Sequence, residues 1–355
     1  MSATTVVRWV MTAQGEPCSR VEEPLAAPPA GEAVVQVAGC GVCHTDISFL
    51  HQGVPTRAAL PLALGHEVSG VVTAVGDGVD ATLVGKAVVV PAVMPCGTCA
   101  LCQAGHRRIC QAQVMPGNDR HGGFASHVAV PARWLCPVPA AVLATHELWE
   151  LSVVADAVTT PFQAVRSSGL QAGDLAVFIG AGGIGVHGVQ IAAAVGAKVI
   201  ALDIDEAKLA TATAHGAAGT VNVGGLDLKA VRGRVNEEAK RLGAPRACWR
   251  IFETSGTKPG QETAFALLNH GAHLSVVGFT LAKLELRLSN LMAFDATARG
   301  NWGCDPALYP EVLEWIGDGR LKVSPFVEKH ALSDINEVLT AAHHGKLGKR
   351  AVLVP

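Results

Sequence analysis

Residues 175–203 read LAVFIGAGGIGVHGVQIAAAVGAKVIALD and decide the fold of the second half of the chain. The apolar run Leu175–Ile179 is suited to a buried parallel strand, and a glycine-rich turn follows it. The pattern then predicts a helix over Ile184–Val195 and a second strand over Lys198–Leu202, which ends at Asp203. A strand, a glycine-rich turn, a helix and another strand are typical of a βαβ unit in a parallel sheet.

The alternation of strands and helices continues beyond this unit. We expect a helix over Glu206–His215, with Gly216 as its stop, and short strands at Arg250–Phe252 and Leu274–Val277, with helical segments before or between them. This order predicts an α/β fold with a doubly wound parallel sheet.

The two ends of the chain have a different character. Short β-branched runs separated by Gly and Asp predict an antiparallel β domain in the first half, with strands at Ala33–Val37, Val68–Val75 and Lys86–Val90. The last residues predict helices at Tyr309–Ile316 and Asp334–His343 and a strand at Ala351–Val354, which we expect to return to the first domain. The predicted domains are therefore residues 1–152, 153–298 and 299–355.

Composition excludes several classes of protein. The chain has 355 residues, of which 49% are hydrophobic, which rules out a disordered or fibrous chain and suggests about two domains. The formal net charge of −2 gives no basic footprint for nucleic acid. The most apolar stretch, Leu175–Leu202, is interrupted by many glycines and polar residues and is a poor membrane span. No N-terminal leader stands out, so we expect a cytoplasmic protein.

The glycine-rich turn fits the G-x-G-x-x-G pattern in the context that a dinucleotide site requires, between a strand and a helix. Glycines let the backbone approach a pyrophosphate, and the helix N-terminus offers unpaired N–H groups. Asp203 follows the second strand, where its carboxylate would accept the ribose hydroxyls and repel a 2′-phosphate, so NAD is preferred over NADP. The competing interpretation is a glycine-rich turn in an ordinary sheet. The predicted cofactor-binding residues of this turn are Gly180, Gly182, Gly183, Ile184 and Gly185.

Four cysteines, Cys96, Cys99, Cys102 and Cys110, crowd into one short segment. Two-residue gaps let successive sulfurs converge on one tetrahedral ion, and such crowding favours a metal over disulfides. Because four thiolates leave no position for water, the segment predicts a structural zinc. An iron–sulfur cluster is the competing use of four clustered cysteines.

A second group of candidate ligands is scattered. Cys43 lies in Gly41–Asp46, which reads GVCHTD, and His66 lies in Gly65-His66-Glu67. Taken singly, Cys43 could be a buried thiol and His66 a hydrogen-bonded core histidine.

Taken together, these features resemble the zinc-dependent medium-chain alcohol dehydrogenases, in whose order all of them occur. The resemblance covers essentially the whole chain. It implies a GroES-like catalytic domain built from both ends of the chain and a Rossmann domain between them. It also implies NAD as cofactor, an active-site zinc in the cleft between the domains, a structural zinc, and a homo-oligomer, either dimer or tetramer.

The resemblance also implies roles for individual residues. Cys43 and His66 become the first two ligands of the catalytic zinc. The family's third ligand is a Cys or Glu, but pairing Phe162-Gln163-Ala164 with the family's aromatic-x-Ala places Asp156 there, with Glu67 as the other candidate.

Other positions of the family's motifs also map onto the chain. Thr45 matches the hydroxyl that contacts the substrate oxygen, so the implied catalytic residues are Cys43, Thr45, His66 and Asp156. His44 and Lys208 join the cofactor-binding residues. Ser48 replaces the family's usual relay histidine, and His51 is nearby but off position.

Four longer stretches are similar to the 6-hydroxycyclohex-1-ene-1-carbonyl-CoA dehydrogenases of anaerobic benzoyl-CoA degradation. That resemblance implies oxidation of a ring secondary alcohol in a CoA thioester to the 6-oxo product. The alternatives are an alcohol or polyol dehydrogenase acting on a non-CoA substrate and a non-catalytic zinc-binding protein on the same fold. The stretches are Leu60–Glu67, Met115–Asp119, Val153–Thr160 and Arg287–Phe294.

Overall fold

The computed structural model describes residues 5–355. The chain divides into two compact units, Met1–Thr159 with Gly303–Pro355, and Thr160–Trp302. The sequence placed the boundaries after residues 152 and 298, whereas residues 153–159 belong to the first unit and residues 299–302 to the second. The difference at 153–159 arises because this segment bonds to side chains of the first unit, as described below.

Within residues 5–355, strands predominate in the first half, and helices and strands alternate from β9 to β14. The strands, in chain order, are β1 (Thr5–Met11), β2 (Ser19–Pro24), β3 (Glu32–Gly41), β4 (Leu62–Ala63), β5 (Glu67–Val75), β6 (Ala87–Val90), β7 (His127–Pro131), β8 (Cys136–Pro137), β9 (Leu175–Ile179), β10 (Lys198–Asp203), β11 (Gly219–Asn222), β12 (Arg250–Glu253), β13 (His273–Val276), β14 (Thr297–Gly300), β15 (Val327–Ala331) and β16 (Arg350–Val354). The α-helices are α1 (His44–His51), α2 (Ala100–Gln103), α3 (Ala140–Leu143), α4 (Thr159–Ser168), α5 (Gly185–Ala194), α6 (Glu206–Ala214), α7 (Leu228–Arg241), α8 (Lys258–Ala266), α9 (Ser289–Phe294), α10 (Tyr309–Gly317) and α11 (Ile335–His343).

The first unit is built on β-sheet. Its larger sheet has the order β15-β16-β3-β5-β6-β8, with β7 also paired to β3, and the smaller sheet has the order β2-β1-β4. The pairing of β3 with β5 sets Gly41 opposite Glu67, and the pairing of β16 with β3 sets Val352 opposite Gly41. This register brings the end of β3, the start of β5 and the start of β16 to one place in the sheet.

The second unit is a six-stranded parallel sheet with the order β11-β10-β9-β12-β13-β14. Its inner strands are apolar because both faces are covered, and Leu175, Val177, Ile200 and Ile251 are at most 1% exposed. The strand order reverses between β9 and β12, which is where such sheets bind ligands. The predicted doubly wound parallel sheet is therefore confirmed.

None of the helices within residues 5–355 combines the length and the apolar character needed to cross a membrane.

Candidate active site

Three of the predicted ligand side chains converge in the first unit. The sulfur of Cys43 lies 3.7 Å from Oδ2 of Asp156, and Nε2 of His66 lies 3.6 Å from the same oxygen. Glu67 belongs to the same group, whose ligand atoms all lie within 4.8 Å of one another. Cys43 and His66 are 5% and 2% exposed, whereas the side chain of Asp156 is 15% exposed, so solvent reaches the group at Asp156.

Asp46 ties together the two loops that carry Cys43 and His66. Its Oδ2 accepts from the amide of Cys43 at 2.9 Å, and its Oδ1 accepts from the amide of Gly65 at 3.0 Å. Gly65 has a φ of +92° and has Cys40 and Phe124 packed against it, so only glycine fits there. Asp46 lies in the Gly41–Asp46 motif, but the sequence predicted no role for it. Its two partners are backbone amides, which residues of almost any type can supply, so they leave no signal in the sequence.

His66 lies between two carboxylates. Its Nδ1 is 3.5 Å from Oδ1 of Asp46, on the side away from Asp156. Burial acts to lower the pKa of His66, but the charges of Asp46 and Cys43 outweigh burial and hold that pKa well above its ordinary value. A metal binds only the neutral ring, so metal binding here would release a proton. A carboxylate on the far ring nitrogen orients a histidine ligand in many metal sites.

Asp156 follows the 3-10 helix Glu150–Ala155, and the chain is bonded on both sides of it. The carbonyl of Ala155 accepts from the hydroxyl of Tyr309 at 2.5 Å, and the amide of Ala157 donates to Oε1 of Glu67 at 3.0 Å. These bonds place the Asp156 segment in the first unit.

Glu67 is held by Arg350. The guanidinium donates from Nε to Oε2 at 2.7 Å and from Nη2 to Oε1 at 2.6 Å. Burial acts to lower the pKa of Arg350, but the carboxylate of Glu67 raises it, so the arginine stays charged. Both carboxylate oxygens of Glu67 are therefore already used as hydrogen-bond acceptors, whereas Oδ2 of Asp156 faces Cys43 and His66.

The distances among Cys43, His66 and Asp156 fit a zinc ion. Zinc bonds of about 2.3 Å to sulfur and about 2.0 Å to nitrogen or oxygen give tetrahedral edges of about 3.3–3.5 Å. The observed separations of 3.6 and 3.7 Å are close to this range. Three protein ligands leave the fourth position for substrate or water, which is the arrangement of a catalytic site.

The remaining predicted residues of this region lie on α1. The hydroxyl of Thr45 is 3.7 Å from the sulfur of Cys43, so it stands beside the candidate metal position. His44 is exposed at the first turn of the helix. Ser48 donates either to the carbonyl of His44 at 3.0 Å or to the side chain of Gln52 at 2.8 Å. His51 is at the opposite end of α1, where its ring lies 4.7 Å from that of His343.

The four-cysteine segment forms a second candidate metal site. The separations are 3.5 Å for Cys99–Cys102 and Cys96–Cys110, 3.7 Å for Cys99–Cys110 and 4.0 Å for Cys96–Cys102. A tetrahedron of zinc–thiolate bonds has edges of about 3.8 Å. Backbone N–H groups of Thr98 and Cys99 lower the pKa of Cys96 to about 6, whereas burial raises the pKa of Cys102 to about 12.

The glycine-rich turn has the local geometry of a dinucleotide site. Gly180 has a φ of +94°, and a side chain there would meet Ser255 at 2.7 Å. A side chain at Gly185 would meet the carbonyl of Gly180, whereas Gly182 has nothing within 4 Å of its Cβ position. The first and third glycines of the motif are thus needed for packing, and the second leaves room for a ligand. Gly183 is exposed, and Ile184 immediately precedes the first residue of α5.

Asp203 ends β10 beside this turn. Its Oδ2 accepts from the amide of Ala181 at 2.8 Å and its Oδ1 from the amide of Ile204 at 2.8 Å, which fixes the carboxylate next to the turn. Lys208 is exposed on α6, the helix that follows. The structure therefore brings Gly180–Gly185 and Asp203 together, as predicted.

Comparisons with known proteins agree with this geometry. Residues 29–140 match the family model described as alcohol dehydrogenase GroES-like domain, and residues 183–318 match the model described as zinc-binding dehydrogenase. An alcohol dehydrogenase of Geobacillus stearothermophilus is 31% identical over 324 residues, which are 91% of each chain. The chain belongs to the zinc-dependent medium-chain alcohol dehydrogenases. The predicted fold class, a GroES-like domain with a Rossmann sheet, and the predicted enzyme class are confirmed.

Two further comparisons cover almost all of this dehydrogenase. The 2-dehydro-3-deoxy-L-galactonate 5-dehydrogenase of Pseudoalteromonas atlantica is 30% identical over 334 residues, 94% of each chain. The crystal structure of AibC superposes with a TM-score of 0.87 at 27% identity, covering 100% of this chain and 97% of that one.

Proposed function

We propose that this dehydrogenase oxidises a secondary alcohol with NAD at a zinc ion held by Cys43, His66 and Asp156. The observation that carries the proposal is that the thiol of Cys43 and the imidazole of His66 both lie within 3.7 Å of one carboxylate oxygen of Asp156. Asp156 is preferred over Glu67 as third ligand because Arg350 already occupies both oxygens of Glu67.

The residues around this site divide the chemistry among them. A zinc ion there supplies Lewis-acid polarisation of the substrate hydroxyl. The hydroxyl of Thr45 stands next to the sulfur of Cys43, where it would take up the proton of the substrate hydroxyl while it passes its own proton towards solvent. Asp46 and Asp156 hold His66 from both sides of its ring. The reaction balances as alcohol and NAD⁺ giving ketone, NADH and a proton.

Cofactor choice follows from Asp203. Its carboxylate is fixed by backbone amides beside the glycine-rich turn, where it accepts from ribose hydroxyls and repels a 2′-phosphate. We therefore propose NAD rather than NADP, with Gly180–Gly185 and Lys208 as the cofactor-binding residues of the second unit; His44 remains a cofactor-binding residue only by the family resemblance.

The four-cysteine site is proposed to hold a second, structural zinc. All four ligand positions are protein thiols at separations that suit one tetrahedral ion, so no position is left for substrate. Its role is to hold the segment between Cys96 and Cys110 folded.

For the substrate, we propose the ring alcohol of 6-hydroxycyclohex-1-ene-1-carbonyl-CoA. The support is the similarity of four stretches to the dehydrogenases that act on this thioester. Two of these stretches carry His66 and Asp156, so the unusual third ligand lies within the similarity. The second candidate is a polyol or other alcohol without CoA, which the galactonate dehydrogenase among the relatives favours.

We also propose that the chain forms homo-oligomers. In the second unit, β14 is the last strand of the sheet and all four of its residues are exposed. Leu288 and Met292, just before this strand, are 68% and 78% exposed. A strand edge flanked by exposed apolar side chains favours pairing with a second copy.

The test is a comparison of initial rates of NADH formation. The assay offers NAD with the cyclic hydroxyenoyl-CoA, with the corresponding free acid, and with cyclohexanol and simple polyols. We expect kcat/KM for the CoA thioester to exceed the others by at least tenfold and the purified enzyme to contain two zinc ions per chain. Higher activity with a polyol would favour the second candidate. A protein that holds both zinc ions and NAD but turns over no alcohol would be a non-catalytic member of the family.

A further inference from the structure

Tyr309 is the single tyrosine of the chain and is completely buried at the start of α10. Its hydroxyl donates to the carbonyl of Ala155 at 2.5 Å and accepts from the amide of Ala92 at 3.3 Å. Burial raises the pKa of Tyr309 well above its ordinary value, so the hydroxyl keeps its proton at neutral pH. A buried hydroxyl that is satisfied on both sides fixes the two backbone groups relative to each other.

The two backbone groups lead to the two candidate metal sites. Ala155 ends the 3-10 helix immediately before Asp156. Ala92 follows β6, and the buried residues Val93 and Met94 continue from it towards Cys96. Tyr309 therefore bonds the segment that carries the third ligand to the base of the four-cysteine loop.

The segment before Tyr309 is itself attached to the four-cysteine loop. Both carboxylate oxygens of Asp305 accept from Nε of Arg107, at 3.0 and 3.1 Å, and Arg107 lies between Cys102 and Cys110. Asp305 also accepts from the amide of Ala307 and so caps the short turn that runs into α10. The four-cysteine loop thus positions the start of α10 through Asp305, and Tyr309 at that start bonds to the carbonyl of Ala155.

We propose that Tyr309 is a positioning residue for Asp156, acting through the carbonyl of Ala155. This inference rests on the proposed function, in which Asp156 is a ligand of the catalytic zinc. The chain on the other side of Asp156 is fixed by Glu67 through the amide of Ala157. Removal of the tyrosine hydroxyl therefore removes the bond from α10 to the carbonyl of Ala155 and leaves that carbonyl with its local bond from Thr159.

The expected effect is a weakened metal site rather than a lost fold. Tyr309→Phe keeps the buried ring, and the carbonyl of Ala155 still accepts from the hydroxyl of Thr159 at 3.2 Å. Loss of a group that orients a metal ligand typically costs about 10–100-fold in metal affinity or activity. We expect zinc to leave the catalytic site of Tyr309→Phe at least about tenfold faster than from wild type in the presence of a chelator, while the four-cysteine zinc stays.

Ser168→Ala is the matched control. The hydroxyl of Ser168 is also buried, donates to a carbonyl, that of Val165, at 2.8 Å, and accepts from an amide, that of Leu170, at 3.2 Å. It belongs to the second unit. Its removal takes away the same kind of bond but should leave the rate of zinc release unchanged.

Fluorotyrosine incorporation gives a second measurement that does not depend on folding of the variant. Because the chain has one tyrosine, fluorotyrosine labels position 309 alone. We expect the ¹⁹F resonance of this residue to shift when a chelator removes the catalytic zinc, and to return to its original position when zinc is restored.

The outcomes separate this inference from the proposed function. Wild-type protein that holds only the four-cysteine zinc would contradict the proposed function. Two outcomes would overturn the role of Tyr309 alone, provided that the wild type holds two zinc ions. They are an unchanged rate of zinc release in Tyr309→Phe, and a ¹⁹F resonance that does not respond to removal of the catalytic zinc. Equal acceleration in Ser168→Ala would also overturn it, because the effect would then be general destabilisation.

Discussion

Arg350 and Glu67 form a two-bond ion pair in a site that solvent barely reaches, with side-chain exposures of 8% and 0%. Arg350 is the first residue of β16 and Glu67 is the first residue of β5. The sheet register brings the two strands together on either side of Gly41. The same carboxylate accepts from the amide of Ala157, so the pair also holds the chain next to Asp156.

Replacing only one residue of this ion pair should lower the free energy of unfolding markedly. Glu67→Gln leaves the charge of Arg350 buried without its partner, so we expect the free energy of unfolding of the zinc-loaded protein to fall by about 3–5 kcal/mol. The double variant Glu67→Gln with Arg350→Met should recover most of this loss, because it removes the uncompensated charge. Urea unfolding measures both. The control is Glu262→Gln, which breaks the exposed pair with Lys258 and should cost less than about 1 kcal/mol. Equal losses in the two single variants would contradict the prediction.

Asp156 should be needed for zinc retention. Asp156→Ala opens the ligand set and Asp156→Asn removes the anion, whereas Asp156→Cys supplies the ligand usual in the family. We expect zinc retention in the order Asp or Cys, then Asn, then Ala, with losses of at least about 10–100-fold for Ala. Metal analysis after dialysis against a chelator measures this, and the four-cysteine zinc is the internal control. Full zinc content and full activity in Asp156→Ala would make Glu67 the next candidate.

Asp203 should enforce the preference for NAD. Asp203→Gly removes both the acceptor for the ribose hydroxyls and the repulsion of a 2′-phosphate. We expect the NAD to NADP ratio of kcat/KM to fall at least tenfold, which corresponds to about 1.4 kcal/mol. Asp227→Asn, which retains the cap of α7, should leave the ratio unchanged. An unaltered ratio in Asp203→Gly would place the discrimination elsewhere.

Acid should destabilise the contact between α1 and α11. Burial, together with the charges of His343 and His344, lowers the pKa of His51 below its ordinary value. Between that lowered pKa and about 6.5 the unfolded chain binds the proton more readily, so this histidine's contribution to stability is lost as pH falls. We expect His51→Gln to show a smaller drop in Tm than wild type between pH 7.5 and pH 5.5. The control is His270→Gln, which replaces an exposed histidine. A fall in Tm as large in His51→Gln as in wild type would refute the assignment.

Assembly should depend on the exposed apolar side chains before β14. Met292→Asp places a charge on this surface, and we expect its mass by light scattering to fall from that of an oligomer towards that of one chain. Val84→Asp changes a half-exposed apolar residue of the first unit and should leave the mass unchanged. A monomeric wild type would contradict the proposed oligomer.

The second unit was the easier half to predict from sequence. Its central strand β9 is a continuous apolar run followed by Gly180, and it begins and ends at the predicted residues, Leu175 and Ile179. In contrast, β14 escaped prediction because its four residues, TARG, are all exposed and carry no apolar pattern. Its pairing is supplied by β13 rather than by its own side chains.

The candidate active site was predictable only where its residues stand in short motifs. Cys43 and His66 lie in such motifs, but Arg350 is 283 residues from Glu67 and Tyr309 is 154 residues from Ala155. Neither partner leaves a local signal, because a lone arginine in a strand and a lone tyrosine at a helix start are ordinary residues. Only the sheet register and the packing of α10 identify them.

The separation of Glu67 from Arg350 has a consequence for synthesis. A ribosome that adds about 5–20 residues per second needs roughly 15–60 s to reach the arginine after the glutamate has been made. The residues of the nucleotide-binding unit are contiguous and are all made within that interval. All residues of the second unit are therefore synthesised before β16 exists to pair with β3, so the larger sheet of the first unit is the last part of the fold that the nascent chain can complete.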